Sequence, residues 1–235
     1  MAIQAKKALL VVTSHSALGD TGRTTGVYYE ELAIPYWALM DAGLSVDIAS
    51  IQGGVVPIDP NSLPQEGRHE AVQRFLDDEA SVSQIQQTLV LDEVDMNEYR
   101  LVFLPGGHGA MWDFPDSMEL ANLISEAAAR HWVIGAVCHG VAGLLSAICL
   151  DGRPLLEGRR VSAFTNEEEV GIGLQDVVPF LLESQIRTLG GLFEQGQNFG
   201  AYAVRDQLLV TGQNPASSAL VAEALLEALK AQEAE

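Results

Sequence analysis

Two adjacent residues near the middle of the chain, Cys138 and His139, have the side chains of a nucleophile and a general base. They follow the apolar run at residues 132–137 and precede Gly140 and a small-residue segment. This pattern is typical of a nucleophile elbow, the tight turn from a strand into a helix that exposes a reactive side chain. We expect the following helix to favour the Cys138 thiolate through its positive end. The second cysteine, Cys149, is interpreted as a structural residue.

A glycine-rich segment at residues 105–109 (PGGHG) follows another apolar run. Glycines let backbone N–H groups approach a ligand closely, so the N–H groups of Gly107 and His139 are candidates for an oxyanion hole beside Cys138. A phosphate cradle is the weaker interpretation, because the segment has neither the Walker pattern nor the GxGxxG spacing. His108 is interpreted equally well as a substrate-binding residue or as a hydrogen-bond donor that stabilises its own loop.

Two groups of acidic residues are candidates for proton transfer. Glu30 and Glu31 lie early in a predicted helix after the first strand, at the sheet edge where we expect Cys138. Adjacent residues of a helix point in different directions, so at most one of them faces the site. The glutamates at residues 167–169 follow a later strand-like segment, where one of them is expected to orient a base histidine. Their spacing does not choose among the three.

The composition excludes several classes of function. The 235-residue chain has a formal net charge of −19, so it lacks the basic surface that nucleic-acid binding requires. No apolar run is long enough to cross a membrane, no signal peptide is indicated, and two cysteines do not suggest a disulfide framework. A cytoplasmic protein is therefore expected. The remaining histidines, His15, His69 and His131, show no metal-ligand spacing, and no metal site or cofactor is predicted; His15 is a possible pocket residue.

Short apolar runs alternate with longer amphipathic ones, which predicts an α/β fold with a doubly wound, mostly parallel sheet and helices on both faces. A hairpin-like pair flanks Asp206-Gln207, and a final helix opens at Asn214-Pro215. The Pro/Gly-rich residues 51–67 are interpreted as an ordered excursion, so residues 1–235 are predicted to form a single domain. The predicted strands are residues 8–13, 45–49, 101–104, 132–137 and 160–163, and the predicted helices are residues 30–42, 117–130 and 140–146.

These motifs together resemble the ThiJ/PfpI superfamily, in particular its glyoxalase III and HchA-type chaperone branch. The resemblance covers nearly the whole chain, and the order of the motifs makes it specific. The matching stretches are Ala136-Val137-Cys138-His139-Gly140, Thr25-Gly26 through Glu31 to Pro35, Gly106-Gly107-His108-Gly109 with Met111-Trp112-Asp113, and Thr211-Gly212-Gln213-Asn214-Pro215-Ala216-Ser217.

The resemblance implies a flavodoxin-like, dimeric protein with a cysteine nucleophile, the histidine after it and a carboxylate. The family's cysteine-contacting glutamate lies four residues before the proline, which is Glu31 and not Glu30. The acid partner of His139 lies five residues after the phenylalanine of the Phe-Thr segment, which is Glu169. The family motifs also place Trp112 with Gly107 and His108 among the substrate-binding candidates.

The function implied is a glutathione-independent glyoxalase III-type lyase. It would convert methylglyoxal or a related small 2-oxoaldehyde to a 2-hydroxy acid through a hemithioacetal on Cys138. The alternatives are a holding chaperone or redox-stress sensor that uses the same cysteine, and a PfpI-like cysteine peptidase or amidase. Class I glutamine amidotransferase activity is not expected, because that triad needs a histidine far downstream and no histidine follows His139.

Overall fold

The computed structural model describes residues 7–64 and 66–233. Most of the strands form a seven-stranded sheet in the order β3-β2-β1-β4-β5-β9-β8, and β6 pairs with β7 in a separate two-stranded sheet. All pairings in the large sheet are parallel except the β8–β9 hairpin. The strands are β1 (Lys7–Val12), β2 (Ser45–Ser50), β3 (Leu89–Val90), β4 (Tyr99–Leu104), β5 (Val133–Val137), β6 (Arg160–Val161), β7 (Leu192–Phe193), β8 (Ala203–Asp206) and β9 (Leu209–Gly212).

Helices cover both faces of the sheet. The helices are α1 (Tyr29–Asp41), α2 (Glu70–Asp77), α3 (Glu79–Gln86), α4 (Ala110–Asp113), α5 (Met118–Ala129), α6 (Asn166–Gly171), α7 (Leu182–Thr188) and α8 (Ser218–Glu233). One apolar cluster joins α1, α2 and α8 to one face, and a second cluster lies under α5 on the other face. Central strands are buried on both faces and are therefore almost wholly apolar, as in β5 (VIGAV).

The order of the strands determines where a ligand can bind. The chain runs from β1 to β2 on one side and later returns to place β4 on the other side of β1. Connections leave the carboxyl ends of β1 and β4 in opposite directions, which opens a crevice at that edge of the sheet. The loop after β5, the neighbour of β4, carries Cys138 to the same edge.

The predicted fold class is confirmed, and most long elements lie within one or two residues of their predicted bounds. The final helix is the exception: α8 begins at Ser218, after a 3-10 turn at Pro215–Ser217, and not at Asn214-Pro215 as predicted. The prediction for residues 140–146 was wrong in kind, because the segment Cys138–Leu144 forms 3-10 turns instead of an α-helix. The sequence analysis did not identify α2, α3, α4, α6 and α7. The predicted single domain, residues 1–235, extends at both ends outside the described residues. Within those residues, no helix combines the length and apolar character needed to cross a membrane.

Candidate active site

Cys138 sits at a strained turn at the end of β5. Its φ of 56° is left-handed, a conformation that costs a residue with a Cβ atom about 1–3 kcal/mol. Gly140 makes the turn possible, since a Cβ there would lie 2.8 Å from the carbonyl oxygen of Pro105. The sharp turn directs the Cys138 side chain into the crevice. Cys138 is nevertheless only 3% exposed, so the elbow presents its thiol at the base of a crevice and not on the open surface.

Glu31 is the carboxylate that the fold brings to this cysteine. It lies in the first turn of α1 and is completely buried, whereas Glu30 is partly exposed. Its Oε2 accepts a hydrogen bond of 2.7 Å from the N–H of Gly106, in the loop after β4. Its Oε1 is buried and has no hydrogen-bond partner of good geometry among the described residues, and the carboxyl group lies close enough to the Cys138 thiol for each to shift the pKa of the other. An unpaired carboxyl oxygen next to a nucleophile is available for proton transfer to and from a substrate.

Burial is the main influence on the pKa values of Glu31 and Cys138. It raises the pKa of Glu31 to about 8, and the contacts with the Cys138 thiol and the Gly106 N–H only partly oppose the effect. Burial also raises the pKa of the Cys138 thiol, and the negative charge of Glu31 adds to this, while the N–H of His139 acts in the opposite direction. The expected stabilisation of a thiolate by a helix end is therefore wrong. The segment is not an α-helix, and burial next to a carboxyl group favours the thiol.

A single carboxylate joins two histidines on the other side of the thiol. Oε2 of Glu169 accepts a hydrogen bond of 2.7 Å from Nε2 of His139, and Oε1 accepts one of 2.9 Å from Nε2 of His108. A carboxylate only accepts, so both ring nitrogens carry the proton. In neutral His139 this leaves Nδ1 as an acceptor, 3.3 Å from Sγ of Cys138. The geometry makes His139 a base for the thiol, oriented by Glu169.

The charges of this group support that arrangement. Burial alone would raise the pKa of Glu169, but the charge and hydrogen bonds of His139 and His108 outweigh it and hold the pKa at about 2. Burial lowers the pKa of His139, the nearby His108 adds to this, and the charge of Glu169 partly opposes it. Near neutral pH, Glu169 is therefore ionised and His139 is neutral, the form in which it takes a proton.

The same three residues are close enough to hold a metal ion. Donor atoms of His108, His139 and Glu169 all lie within 4.8 Å of one another. The two hydrogen bonds to Glu169 account for this spacing on their own, because each ring nitrogen is already paired with a carboxylate oxygen.

Glu168, which the sequence analysis did not single out, has a different task from its neighbour. It is completely buried, and its two oxygens accept hydrogen bonds from five donor groups. These are Thr165 N (3.0 Å), Thr165 Oγ1 (3.0 Å), Phe199 N (2.7 Å), Gln213 Nε2 (3.0 Å) and Asn214 Nδ2 (2.8 Å). Through these hydrogen bonds, Glu168 links the start of α6 to the loop before β8 and to Gln213 and Asn214, which follow β9. The Thr-x-x-Glu pattern of residues 165–168, a capping box, was the sequence signal for it.

The crevice forms a cavity of about 370 Å³ above Cys138. Three polar residues that the sequence analysis missed, Arg23, Asp59 and Asn61, lie on its wall. Trp112, a predicted substrate-binding residue, is not among the lining residues; its ring stacks on His15 with centroids 5.2 Å apart. The cavity is lined by Leu18, Arg23, Tyr28, Asp59, Asn61, Gly107, His108, Cys138, His139, Phe164, Ile172, Leu174, Phe199 and Pro215.

The structure thus brings Cys138, His139, Glu31 and Glu169 together, with Gly107 and His108 on the cavity wall. Gly107 has a φ of 99°, and a Cβ there would lie 2.5 Å from the backbone nitrogen of Tyr28, so only glycine fits. The proposed oxyanion role of the Gly107 N–H stays a prediction.

Comparison with known proteins places this site in a family. The DJ-1/PfpI family model matches residues 24–228. The chain is 30% identical to the glutathione-independent glyoxalase HSP31 of Saccharomyces cerevisiae over 243 aligned positions, which cover 96% of this chain and 98% of the relative.

Solved structures show the same fold. Rapid Encystment Protein 24 kDa from Francisella tularensis has a TM-score of 0.92 and 36% sequence identity, covering 95% of this chain and 99% of its own. Glyoxalase III from Candida albicans has a TM-score of 0.88 with 24% identity, covering 96% of this chain and 98% of its own. The likeness extends over essentially the full length of each protein.

Proposed function

The chain belongs to the DJ-1/PfpI family, and we propose that it is a glutathione-independent lyase that converts methylglyoxal or a related 2-oxoaldehyde to a 2-hydroxy acid. The observation that carries the proposal is the buried pair of Cys138 and Glu31. A cysteine nucleophile is common to several reactions, but a carboxyl group with a pKa of about 8 beside it is what proton transfer at carbon needs. The glyoxalase name of the yeast relative supports the same reaction.

In the first step, Sγ of Cys138 attacks the aldehyde carbon, and Nδ1 of His139 takes the thiol proton. That proton then passes to the aldehyde oxygen, which gives a neutral hemithioacetal. The ionised Glu169 stabilises the transient positive charge on His139. The N–H groups of Gly107 and His139 are the proposed donors to the developing oxyanion.

In the second step, the ionised form of Glu31 removes the hydrogen of the attacked carbon as a proton, which gives an enediolate. His139 moves the hydroxyl proton to the neighbouring oxygen, and Glu31 returns its proton to the second carbon. The product is a thioester of Cys138 with a 2-hydroxy acyl group. Water hydrolyses this thioester with His139 as base, so the net reaction adds one water to the 2-oxoaldehyde and restores the thiol.

The alternatives that use the same cysteine are less well supported. Redox-sensor cysteines are exposed and have a low pKa, whereas Cys138 is buried and its thiol pKa is raised. A peptidase needs an open groove for an extended chain, and Cys138 lies in a cavity of about 370 Å³. A holding-chaperone activity would not need the proton-transfer pair, so retention of chaperone function without Glu31 would separate the two roles.

The direct test is formation of the 2-hydroxy acid from methylglyoxal without glutathione. We expect turnover by the wild-type protein, none by Cys138→Ala, and nearly unchanged turnover by Cys149→Ala, the matched control. No ammonia should be released from glutamine. Turnover that survives Cys138→Ala would overturn the proposal.

Two properties outside the site belong with this proposal. We propose that the chain forms a homodimer, as its family resemblance implies, and light scattering on the purified protein tests this. A cytoplasmic location stays a prediction.

A further inference from the structure

One residue of the cavity wall, Phe199, has a conformation that core packing does not explain. Its backbone is left-handed, with a φ of 60°, although it is not a glycine, and its side chain is 52% exposed. A large aromatic residue in this conformation is strained, and half of its apolar surface remains in contact with water. Strain that the fold maintains at the edge of a cavity indicates a functional role.

The fold holds this residue in place from two directions. The N–H of Phe199 donates a 2.7 Å hydrogen bond to Oε1 of the buried Glu168. The same oxygen is fixed by the side-chain amides of Gln213 and Asn214. The ring lies against the end of α6 at Gly171, where an added Cβ would come within 3.1 Å of its Cζ atom. Both the backbone and the ring are therefore positioned, although neither is buried in the core.

The ring continues an aromatic surface that begins at the catalytic histidine. The rings of His139 and Phe164 have centroids 4.5 Å apart, and the Phe164 and Phe199 rings meet edge to face at 6.4 Å. Ile172 and Leu174 also line the cavity. Cys138 is thus reached through a cavity with a largely apolar wall.

The volume of the cavity is larger than the volume of methylglyoxal. About 370 Å³ lies within the range of pockets that enclose drug-sized ligands. Methylglyoxal has five non-hydrogen atoms, and its methyl group would leave most of the apolar wall in contact with water. An aryl or branched alkyl group in the same position would cover it.

We propose that Phe199, with Phe164, Ile172 and Leu174, forms a specificity pocket for the group attached to the ketone of the 2-oxoaldehyde. The preferred substrates are 2-oxoaldehydes that carry an aryl or branched alkyl group. This inference rests on the proposed lyase function and defines its substrate class.

The test compares kcat/KM for phenylglyoxal and methylglyoxal. The wild-type protein should favour phenylglyoxal by about tenfold or more, the size of discrimination that one or two apolar groups give in a pocket. Phe199→Ala should remove this preference, because kcat/KM for phenylglyoxal should fall at least about tenfold more than kcat/KM for methylglyoxal. Gly171→Ala, which retains Phe199 but displaces its ring, should also weaken phenylglyoxal turnover. Leu150→Ala, at a side chain that is 90% exposed, is the control.

Binding of the two products provides a measurement that needs no turnover. Mandelate should bind the wild-type protein at least about tenfold more tightly than lactate, and Phe199→Ala should remove the difference. An inactive protein that shows this binding difference would refute the lyase function and keep the aryl pocket. An active enzyme that prefers methylglyoxal, or a Phe199→Ala variant that loses both substrates equally, would refute the pocket alone.

Discussion

Replacing Glu31 with Gln is expected to remove turnover and, at the same time, to stabilise the fold at alkaline pH. Gln keeps the size of the side chain, and its carbonyl oxygen can still accept the hydrogen bond from Gly106. It cannot take or return a proton. If Glu31 carries hydrogen between the two carbons, turnover falls by at least about a hundredfold, the usual contribution of a general acid–base group.

The stability effect follows from the pKa of Glu31, which is about 8 in the folded protein and ordinarily 4.5. Between these values the folded protein holds a proton that the unfolded chain has released. The free energy of unfolding of the wild type therefore falls by about 1.4 kcal/mol for each pH unit in this range. Gln has no such proton, so the variant gains stability relative to wild type as the pH rises, with an upper limit of about 5 kcal/mol at pH 8.

Activity and stability of the wild type should therefore change with pH in opposite directions. Below pH 8, kcat/KM rises with pH as the base form of Glu31 becomes populated, while the contribution of Glu31 to stability declines. Urea unfolding of both proteins at pH 5 and pH 8 measures the second effect, and pH profiles of 2-hydroxy acid formation measure the first.

The control is Glu30→Gln, the neighbouring and partly exposed position of α1. It should change neither turnover nor the pH dependence of unfolding. A Glu31→Gln variant with turnover within tenfold of wild type would remove Glu31 as the base. The same stability difference at both pH values would refute the argument from burial.

Three further substitutions test the surroundings of the pair. Glu169→Gln should lower turnover by about a hundredfold and lower the pKa of His139 further, as read by NMR titration, because the carboxylate charge raises that pKa. The stability that Glu169 contributes is present above pH 4.5 and is lost as the pH falls toward 2, so this variant should be destabilised at pH 7 and resemble wild type near pH 2. Gly106→Ala would place a methyl group 2.6 Å from Oε2 of Glu31 and should lower both the melting temperature and turnover. Glu168→Gln would turn an amide group toward hydrogen-bond donors, so urea unfolding should show a loss of about 2–4 kcal/mol.

The sequence predicted the parts of the fold that local patterns encode. Buried parallel strands are continuous apolar runs. The predicted strand at residues 101–104 is the second part of β4, and the one at residues 132–137 contains β5. Helix α2 was missed because its start signal is less common, whereas α3 begins at an ordinary cap, Asp78, that the sequence analysis overlooked. The side chain of His69 accepts a hydrogen bond from Ala71 N and caps α2, a task that Ser, Thr, Asp or Asn usually performs.

The site depended on details that spacing alone does not give. The three consecutive glutamates at residues 167–169 lie in different environments. Glu167 is exposed, Glu168 accepts hydrogen bonds from five donor groups, and Glu169 accepts hydrogen bonds from two histidines. The residue at which α6 begins determines which of these glutamates faces the histidines, and the spacing of the sequence does not show that residue. Phe199 carried no sequence signal, since its strained backbone is imposed by a hydrogen bond to a residue 31 positions away.

The position of β5 between β4 and β9 has a consequence for synthesis of the protein. A growing chain leaves the ribosome from its amino terminus, and domains fold as units. Cys138 therefore emerges well before residues 209–212, the neighbouring strand that completes its surroundings. The partners of Glu168 at residues 213 and 214 follow later still. A chain truncated before β9 carries the reactive cysteine without the burial that raises the pKa of its thiol, so the competent site exists only once residues 209–214 have been synthesised.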